Sequence, residues 1–259
     1  MRHRSAQRES PAIDPVMLEV IQSALVYAAE EAGIALRHAA YSHNIKERMD
    51  HSCALFDASG RLLAQAEHIP VHLGSLPWGV RNILRWARAE GLKWEPGATI
   101  MVNDPYVAGT HLNDVMILKP VFHRRRLIGF SVNRAHHVDV GGRTVGSISP
   151  DARSLEDEGV IVPPISIARR SAMDERALLP FLSRVRLPEI SRGDLRAQLA
   201  AAAIGERRLV ELAEEYGFQT LQSVFLEIIS SGRRRMVRHI ASLPNGVFAA
   251  EDCLEDVNG

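Results

Sequence analysis

Residues 115–122 read VMILKPVF and residues 127–133 read LIGFSVN, and these two runs decide the fold class of the chain. Both are apolar, and each has the length of a β-strand. The four residues between them, 123–126, read HRRR, which is typical of a solvated hairpin tip and not of a binding patch. The pattern therefore predicts two strands that fold back on each other in the middle of the chain.

Helical and strand patterns surround this hairpin. Asp14 followed by Pro15 is a typical helix start, and apolar residues recur at helical spacing from there to about residue 40. Further helices are predicted over residues 77–90, 192–216 and 221–243, a loop over 155–167, and further strands over 52–57, 61–65, 99–102 and 246–252. The chain is therefore expected to have an α+β fold with mixed, largely antiparallel sheets, flanking helices and a C-terminal helical pair.

Length and composition limit the classes of protein to which the chain can belong. Its 259 residues, 46% of them hydrophobic, are enough for a substantial core, and we expect a folded domain at residues 13–259 behind a disordered tail at residues 1–12. Acidic and basic residues number 31 each, so the basic excess typical of nucleic-acid binding is missing. No apolar run has the length of a membrane span, and the N-terminus lacks the apolar core of a signal peptide, which predicts a cytoplasmic protein.

Polar segments stand at the open ends of the predicted hairpin. Residues 103–114 read NDPYVAGTHLND, and residues 134–142 read RAHHVDVGG. If the two strands pair, their ends converge, and His111, Asp114 and His136 come within a few ångströms of one another. Three imidazole or carboxylate ligands with one position left open are typical of a catalytic metal site, and mixed His/Asp ligation suits Zn²⁺ or Mn²⁺.

The same segments also fit an interpretation without a metal. Asp-Pro, Gly-Thr and Gly-Gly are ordinary turn signals and His-x-x-Asp is a weak pattern, so a polar, turn-rich loop stays open as an alternative. Because side chains alternate along a strand, His137 and Asp139 share one face and His136 takes the other. His137 is a candidate proton shuttle or substrate contact, or else a hydrogen-bonded structural histidine. Asp139 is expected to orient a neighbouring group.

Two more polar stretches precede the hairpin. Residues 44–51 read NIKERMDH, and Asp50 is a candidate general base or additional ligand, unless the stretch is an Arg–carboxylate network that serves the structure alone. His68 and His72 lie four apart across Pro70, so the sequence favours loop residues there, with lining of the cleft as the alternative. No glycine-rich phosphate loop is present, so the chain is not expected to bind a nucleotide by that route.

Five segments in this order resemble the hydantoinase B/oxoprolinase family. They are SHNIKERMDHSCALFD at residues 42–57, NDPYVAGTHLNDV at 103–115, NRAHHVDVGG at 133–142, EGVIVPP at 158–164 and GDLRAQLAA at 193–201. The resemblance covers nearly all of the chain after residue 12. The family's usual Gly-Gly-Thr-His and Leu-Pro-Asp are replaced here by AGTH at 108–111 and LND at 112–114, and both changes lie beside the expected ligands.

The resemblance implies a metal site. The family's His-x-x-Asp ligand pair falls on His111 and Asp114, and its later histidine ligand falls on His136. The aspartate of its Glu-Arg-x-Asp stretch falls on Asp50. In such enzymes a partner of the hydantoinase A type uses ATP to phosphorylate a carbonyl or amide oxygen, and the B-type chain carries the metal at which the activated intermediate reacts.

From this resemblance we expect a metal-bearing subunit of an ATP-dependent hydantoinase/oxoprolinase-type amidohydrolase, which hydrolyses a cyclic amide within a hetero-oligomer. One alternative is a subunit of an acetone-carboxylase-like carboxylase that acts on a ketone-derived substrate. The other is a non-catalytic remnant that only binds a partner. Family B chains extend well beyond this one, so we also expect a truncated, N-terminal part of the family fold.

Overall fold

A computed structural model describes residues 13–66 and 68–251, and the predicted disordered tail at residues 1–12 lies outside the described residues. Within those ranges seven strands form one sheet, and eight α-helices surround it. The strands are β1 (His51–Asp57), β2 (Leu62–Gln65), β3 (Thr99–Val102), β4 (Asp114–His123), β5 (Arg126–His136), β6 (Ile165–Arg169) and β7 (Ala172–Met173). The helices are α1 (Pro15–Ala39), α2 (His43–Lys46), α3 (Val71–Ala89), α4 (Pro105–Ala108), α5 (Leu155–Glu158), α6 (Glu175–Leu182), α7 (Pro188–Tyr216) and α8 (Phe218–Ser242).

The predicted hairpin is the centre of the sheet. The strand order is β2-β1-β5-β4-β3-β6-β7, and every pairing between the described strands is antiparallel. β4 and β5 pair from Asp114 opposite His136 down to the turn at Arg124 and Arg125, whose φ angles are 47° and 65°. Two residues with positive φ suit the right-handed twist of a tight hairpin. The predicted α+β class with a largely antiparallel sheet is confirmed.

Helices cover both faces of the sheet. On one face α3 packs against Phe56 and Phe130, which are fully buried. On the other face α1 and α7 pack against the strands, with Leu25 and Leu209 beside Leu55 in the same core. Full burial of each such side chain contributes about 1.5–3 kcal/mol. The ends of β4 and β5 are therefore held between two layers of helix.

The predicted helix start and the predicted C-terminal helical pair are confirmed. Asp14 caps α1 by accepting a 3.0 Å hydrogen bond from the backbone N–H of Val16. α7 and α8 are separated only by Gly217, whose φ is 79°. The first half of α8 packs on the core through Leu221 and Phe225, whereas its last turns, residues 232–242, are exposed.

The predicted start of α3 at residue 77 is wrong. The helix begins at Val71, and Pro77 lies inside it. Proline suits the first turn of a helix, and that preference suggested the later start. The buried side of the helix in fact begins with His72 and continues through Leu76 and Val80, so packing on the sheet outweighs the missing N–H of the proline.

Two other expectations are corrected. The predicted loop at residues 155–167 contains α5 and the start of β6. The predicted strand at residues 246–252 is not formed in its described part, residues 246–251, which is irregular and exposed. A strand needs a neighbour for its backbone N–H and C=O groups, and apolar residues alone do not supply one. In the described part of the chain, no helix combines the length and apolar character needed to cross a membrane.

Candidate metal centre

Three predicted ligands meet at the edge of the sheet where β4 begins and β5 ends. Asp114 is the first residue of β4, and it lies directly opposite His136, the last residue of β5. Opposite residues of an antiparallel pair point to the same face, so the carboxylate and the imidazole lie side by side. His111 approaches from the loop before β4. The structure therefore brings together the three residues that the sequence pointed to.

The distances within this cluster suit a shared ion. Nε2 of His111 lies 3.3 Å from Oδ1 of Asp114, and Nδ1 of His136 lies 3.7 Å from the same oxygen. One ligand atom from each residue lies within 4.8 Å of the other two. Two atoms bound to one Zn²⁺ at about 2.1 Å are about 3.4 Å apart at a tetrahedral angle. The cluster is therefore close to the spacing that an ion would impose.

Asp114 carries the clearest sign of an ion. Its side chain is 3% exposed, and Oδ1, the atom that faces both histidines, has no hydrogen-bond partner. A buried carboxylate oxygen without a donor is costly, because it has lost its hydrogen bonds to water and no protein donor replaces them. A divalent cation between Oδ1 and the two imidazoles would satisfy it. The donor set present therefore fits the metal that the family resemblance implies.

The loop that presents His111 is fixed at both ends. Gly109 ends α4 with a φ of 90°, and a Cβ atom there would lie only 2.9 Å from the ring of Trp78. Further on, the side-chain amide of Asn103 donates a 2.9 Å hydrogen bond to the carbonyl of Leu112. A glycine is required at the first point because only it combines positive φ with this close approach. His111 is thus held over Asp114 although its side chain is 43% exposed.

Asp50 joins the cluster from the side of β1. Its backbone carbonyl accepts a 3.0 Å hydrogen bond from the N–H of His136, which fixes the turn before β1 against the end of β5. Its Oδ2 lies 3.5 Å from Nδ1 of His136. The side chain keeps 25% exposure, so it borders solvent. The structure brings Asp50 to the position that both of its predicted roles, base or additional ligand, require.

His72 is a neighbour of the cluster, and its sequence pattern favoured a loop position. It lies in the first turn of α3, is fully buried, and places Nε2 3.2 Å from Oδ2 of Asp114. Its Nδ1 lies 2.9 Å from Oγ of Ser52 on β1. A signal was available, because position 72 precedes Leu76 and Val80 at helical spacing. Pro77 obscured it.

The charges in the cluster favour an ionised aspartate. Burial by itself raises the pKa of Asp114, but the close contacts with the imidazoles of His111 and His72 outweigh it and hold the pKa well below its usual range. The same contact with Asp114 raises the pKa of His111. Burial, together with the nearby His111, lowers the pKa of His136. The centre thus offers a carboxylate beside imidazoles, which is a donor set for a divalent cation.

The structure does not bring His137 to the cluster. Its side chain points to the opposite face of the sheet, as the alternation predicted, and it is fully buried there. Its Nε2 lies 3.0 Å from Oε1 of Gln198 on α7, and its ring packs edge-on against Phe181 at 6.3 Å. The predicted catalytic role therefore has no geometric support, because the sheet separates His137 from Asp114. The alternative of a hydrogen-bonded structural histidine describes its contacts.

Asp139 orients a loop. Its Oδ1 accepts a 2.7 Å hydrogen bond from Nη1 of Arg186, and its Oδ2 accepts a 2.8 Å bond from the backbone N–H of the same residue. Ser147 Oγ also lies 3.2 Å from Oδ1. These bonds tie the segment after β5 to the turn before α7. The neighbour that Asp139 orients is thus the loop beside the cluster and not a ligand.

Comparisons with known proteins show the family to which the chain belongs. The sequence of residues 14–259 matches the family described as Hydantoinase B/oxoprolinase. An uncharacterized protein of Methanocaldococcus jannaschii is 43% identical over 243 residues, which cover 94% of this chain and 43% of that protein. In the crystal structure of the ATP-dependent caprolactamase from Pseudomonas jessenii, a chain of 31% identity superposes with a TM-score of 0.86, over 95% of this chain and 42% of that chain.

A more distant likeness shows the fold alone. Nucleotide-free acetone carboxylase matches with a TM-score of 0.79 at 19% identity, over 85% of this chain and 29% of that chain. The chain spans less than half the length of each of these relatives. The family match nonetheless covers almost all of its residues. The chain therefore belongs to the hydantoinase B/oxoprolinase family.

Proposed function

We propose that the cluster binds one divalent metal ion, Zn²⁺ or Mn²⁺, through His111, Asp114 and His136. The observation that carries this proposal is the buried Oδ1 of Asp114, which faces two imidazoles and has no hydrogen-bond donor. Asp50 lies beside these ligands. Three protein ligands and an approachable side leave room for a substrate oxygen or water, as catalytic sites do.

In such a centre the ion supplies Lewis-acid chemistry, which polarises a carbonyl oxygen and makes a water molecule more acidic. Asp50 is the group placed to hold the proton that such a water loses, because its carboxylate borders solvent and Oδ2 lies next to His136. The alternative role of Asp50, as an additional ligand, uses the same position. His137 takes no part in this proposal because it lies on the other face.

We further propose that the chain is the metal-bearing subunit of an ATP-dependent amidohydrolase that opens a cyclic amide. Support comes from its membership of the family and from its likeness to the ATP-dependent caprolactamase from Pseudomonas jessenii. The chain carries no glycine-rich phosphate loop. The ATP step is therefore assigned to a partner subunit of the hydantoinase A type, and the working enzyme is a hetero-oligomer.

The metal site is tested by elemental analysis of the purified chain. Wild type is expected to hold about one ion per chain, and His111→Ala and His136→Ala are each expected to lose it while keeping their circular dichroism spectra. His38→Ala, an exposed histidine on α1, is the matched control and should retain the ion. Equal metal content in all four proteins would show that the ion lies elsewhere.

The reaction is tested on the complex with a hydantoinase A-type subunit from the same genome. Hydrolysis of 5-oxoproline, hydantoin or caprolactam that requires ATP, both subunits and His136 would support the amidohydrolase. Carboxylation of acetone with ATP and bicarbonate would instead support the carboxylase alternative. A metal-loaded complex that turns over neither class of substrate would point to a non-catalytic remnant.

A further inference from the structure

We propose that His72, which is hydrogen-bonded to Ser52, is a positioning residue that orients Asp114 as a metal ligand. The inference rests on the proposed metal centre and adds to it a residue outside the four recognised from the family pattern. His72 is 0% exposed and Ser52 is 0% exposed, so neither contacts solvent or substrate. Their side-chain hydrogen bonds join them to Asp114 and to each other.

The chain of hydrogen bonds has one consistent direction. An ionised carboxylate only accepts hydrogen bonds, so Nε2 of His72 carries the hydrogen that points at Oδ2 of Asp114, 3.2 Å away. In the neutral ring Nδ1 is then the acceptor, and Oγ of Ser52, 2.9 Å away, donates to it. The serine hydroxyl therefore selects the tautomer of His72 that Asp114 needs.

This arrangement assigns different tasks to the two oxygens of Asp114. Oδ2 is bound to His72, and Oδ1 is left facing His111 and His136 without a donor. A carboxylate fixed in this way loses little rotational freedom when it binds an ion, and it stays ionised in a buried place. Groups that hydrogen-bond a metal ligand typically change metal affinity by about 10- to 100-fold when removed.

The contact also links three separate elements. Ser52 lies on β1, His72 on α3 and Asp114 on β4, so the hydrogen bonds fix the start of α3 to two strands of the sheet. The distance between these residues along the chain is 20 and 42 positions. Only a rigid packing of α3 on the sheet holds them within hydrogen-bond range.

A competing arrangement uses the same atoms. Asp50, His72 and Asp114 also place one ligand atom each within 4.8 Å of the others, which is the spacing of a second ion. In that case His72 is itself a ligand, and the centre holds two ions. Ion stoichiometry separates the two arrangements, since positioning by His72 requires one ion per chain and ligation requires two.

The experiment is a titration of the full-length, metal-free chain with Co²⁺, followed by calorimetry and by the visible absorption of bound Co²⁺, which reports ligand geometry. Four variants are compared with wild type. His72→Leu removes the donor, His72→Gln keeps an N–H donor near the position of Nε2, and Ser52→Ala removes only the hydroxyl that selects the tautomer. His68→Leu, which replaces a nearby histidine that has no hydrogen bond to Asp114, is the control.

We expect one ion per chain, with the affinity of His72→Leu lowered about 10- to 100-fold and its Co²⁺ spectrum altered. His72→Gln is expected to recover most of the affinity and the wild-type spectrum, because the donated hydrogen bond is restored. Ser52→Ala is expected to lose about fivefold, the worth of one neutral hydrogen bond. His68→Leu should stay within about twofold of wild type.

Several results would overturn the inference. They are wild-type affinity in His72→Leu, equally weak binding in His72→Gln and His72→Leu, or two ions in wild type that become one in His72→Leu. If His72→Leu does not fold, His72→Gln and Ser52→Ala still decide the question. Full metal affinity in Ser52→Ala, together with an altered Co²⁺ spectrum in His72→Gln, would contradict the proposed direction of the hydrogen bonds. A wild-type chain that binds no ion would overturn the metal centre itself.

Discussion

The two faces of the sheet at the ends of β4 and β5 both carry buried polar residues, but these residues are hydrogen-bonded differently on each face. On the α7 face, Gln198 donates 2.8 and 3.0 Å hydrogen bonds to the carbonyl of Val115 and to Oδ1 of Asn133, and its Oε1 lies 3.0 Å from His137. On the α3 face, Asp114 lies among histidines with one oxygen left without a donor. On the first face the amide of Gln198 binds its polar neighbours, and the atom left without a partner is a nitrogen of the neutral His137 ring, Nδ1. On the second face the atom left without a partner is an anionic oxygen between two imidazoles.

This difference teaches how a binding site and a buried polar network can be told apart. Both lie at the same end of the same strands, and both contain a buried histidine. The network is built from neutral amides whose donors and acceptors match, which fixes α7 to the sheet. The cluster combines a charge, imidazoles and an unmatched acceptor, which costs stability unless a cation is bound.

The largest effect is expected from Gln198→Leu. The substitution leaves Oδ1 of Asn133 and Nε2 of His137 without a partner and removes one hydrogen bond to the carbonyl of Val115. At about 1–3 kcal/mol for each unsatisfied group, unfolding should become easier by about 3 kcal/mol. Urea unfolding of the metal-free chain measures it. Gln222→Leu, at an exposed position of α8, is the control and should change the free energy of unfolding by less than about 0.5 kcal/mol. A small change in Gln198→Leu would mean that the network does not stabilise the fold.

The opposite behaviour is expected on the α3 face. His111→Ala should weaken metal binding by about 100-fold or more, which corresponds to about 2.7 kcal/mol. The free energy of unfolding of the metal-free protein should change by less than about 0.5 kcal/mol, because the side chain of His111 is 43% exposed. Calorimetric titration and urea unfolding on the same samples give both quantities. A loss of stability similar to that of Gln198→Leu would erase the distinction between the two faces.

Metal affinity should also fall as the pH is lowered. His111 binds an ion only when it is deprotonated, and the contact with Asp114 raises its pKa, so protons begin to compete at a higher pH than for an isolated imidazole. Below that pKa the affinity should drop by about tenfold per pH unit for this one proton, or about 1.4 kcal/mol. Titrations between about pH 8 and pH 5.5 measure it. A metal affinity that does not change with pH over this range would show that His111 is not a ligand.

The smallest effect concerns an ion pair on the surface, which serves as a baseline for both faces. Glu31 on α1 lies 2.5 Å from Nε of Arg208 on α7, and this hydrogen bond lowers the pKa of the carboxyl group. A lowered pKa stabilises the fold above the unfolded-state pKa and loses that effect as the pH falls through the folded-state value. Glu31→Gln should therefore cost about 0.5 kcal/mol near neutral pH and nothing in strong acid. Urea unfolding at both pH values checks it, and an equal cost at both would show that charge is not the cause.

Local patterns predicted most of the elements of this chain. The two apolar runs at residues 115–122 and 127–133, with the basic tip between them, predicted the hairpin, and Asp14 with Pro15 predicted the start of α1. Such run lengths, turn residues and caps act over a few residues. The hairpin in turn predicted that His111, Asp114 and His136 converge, since the ends of paired strands must meet. The polar stretch before β1 offered Asp50 as a base or additional ligand, the family resemblance implied the same residue, and the structure places all four close together.

Only the tertiary structure decided which histidine accompanies the cluster. The sequence left His137 open as a catalytic or a structural residue, and it favoured a loop position for His72. In the structure the pleat of β5 turns His137 to the α7 face, whereas α3 carries His72 to Oδ2 of Asp114 across 42 residues of chain. Which helix lies over which face depends on how the apolar stripes of α1, α3 and α7 pack on the sheet, and no local period contains that information.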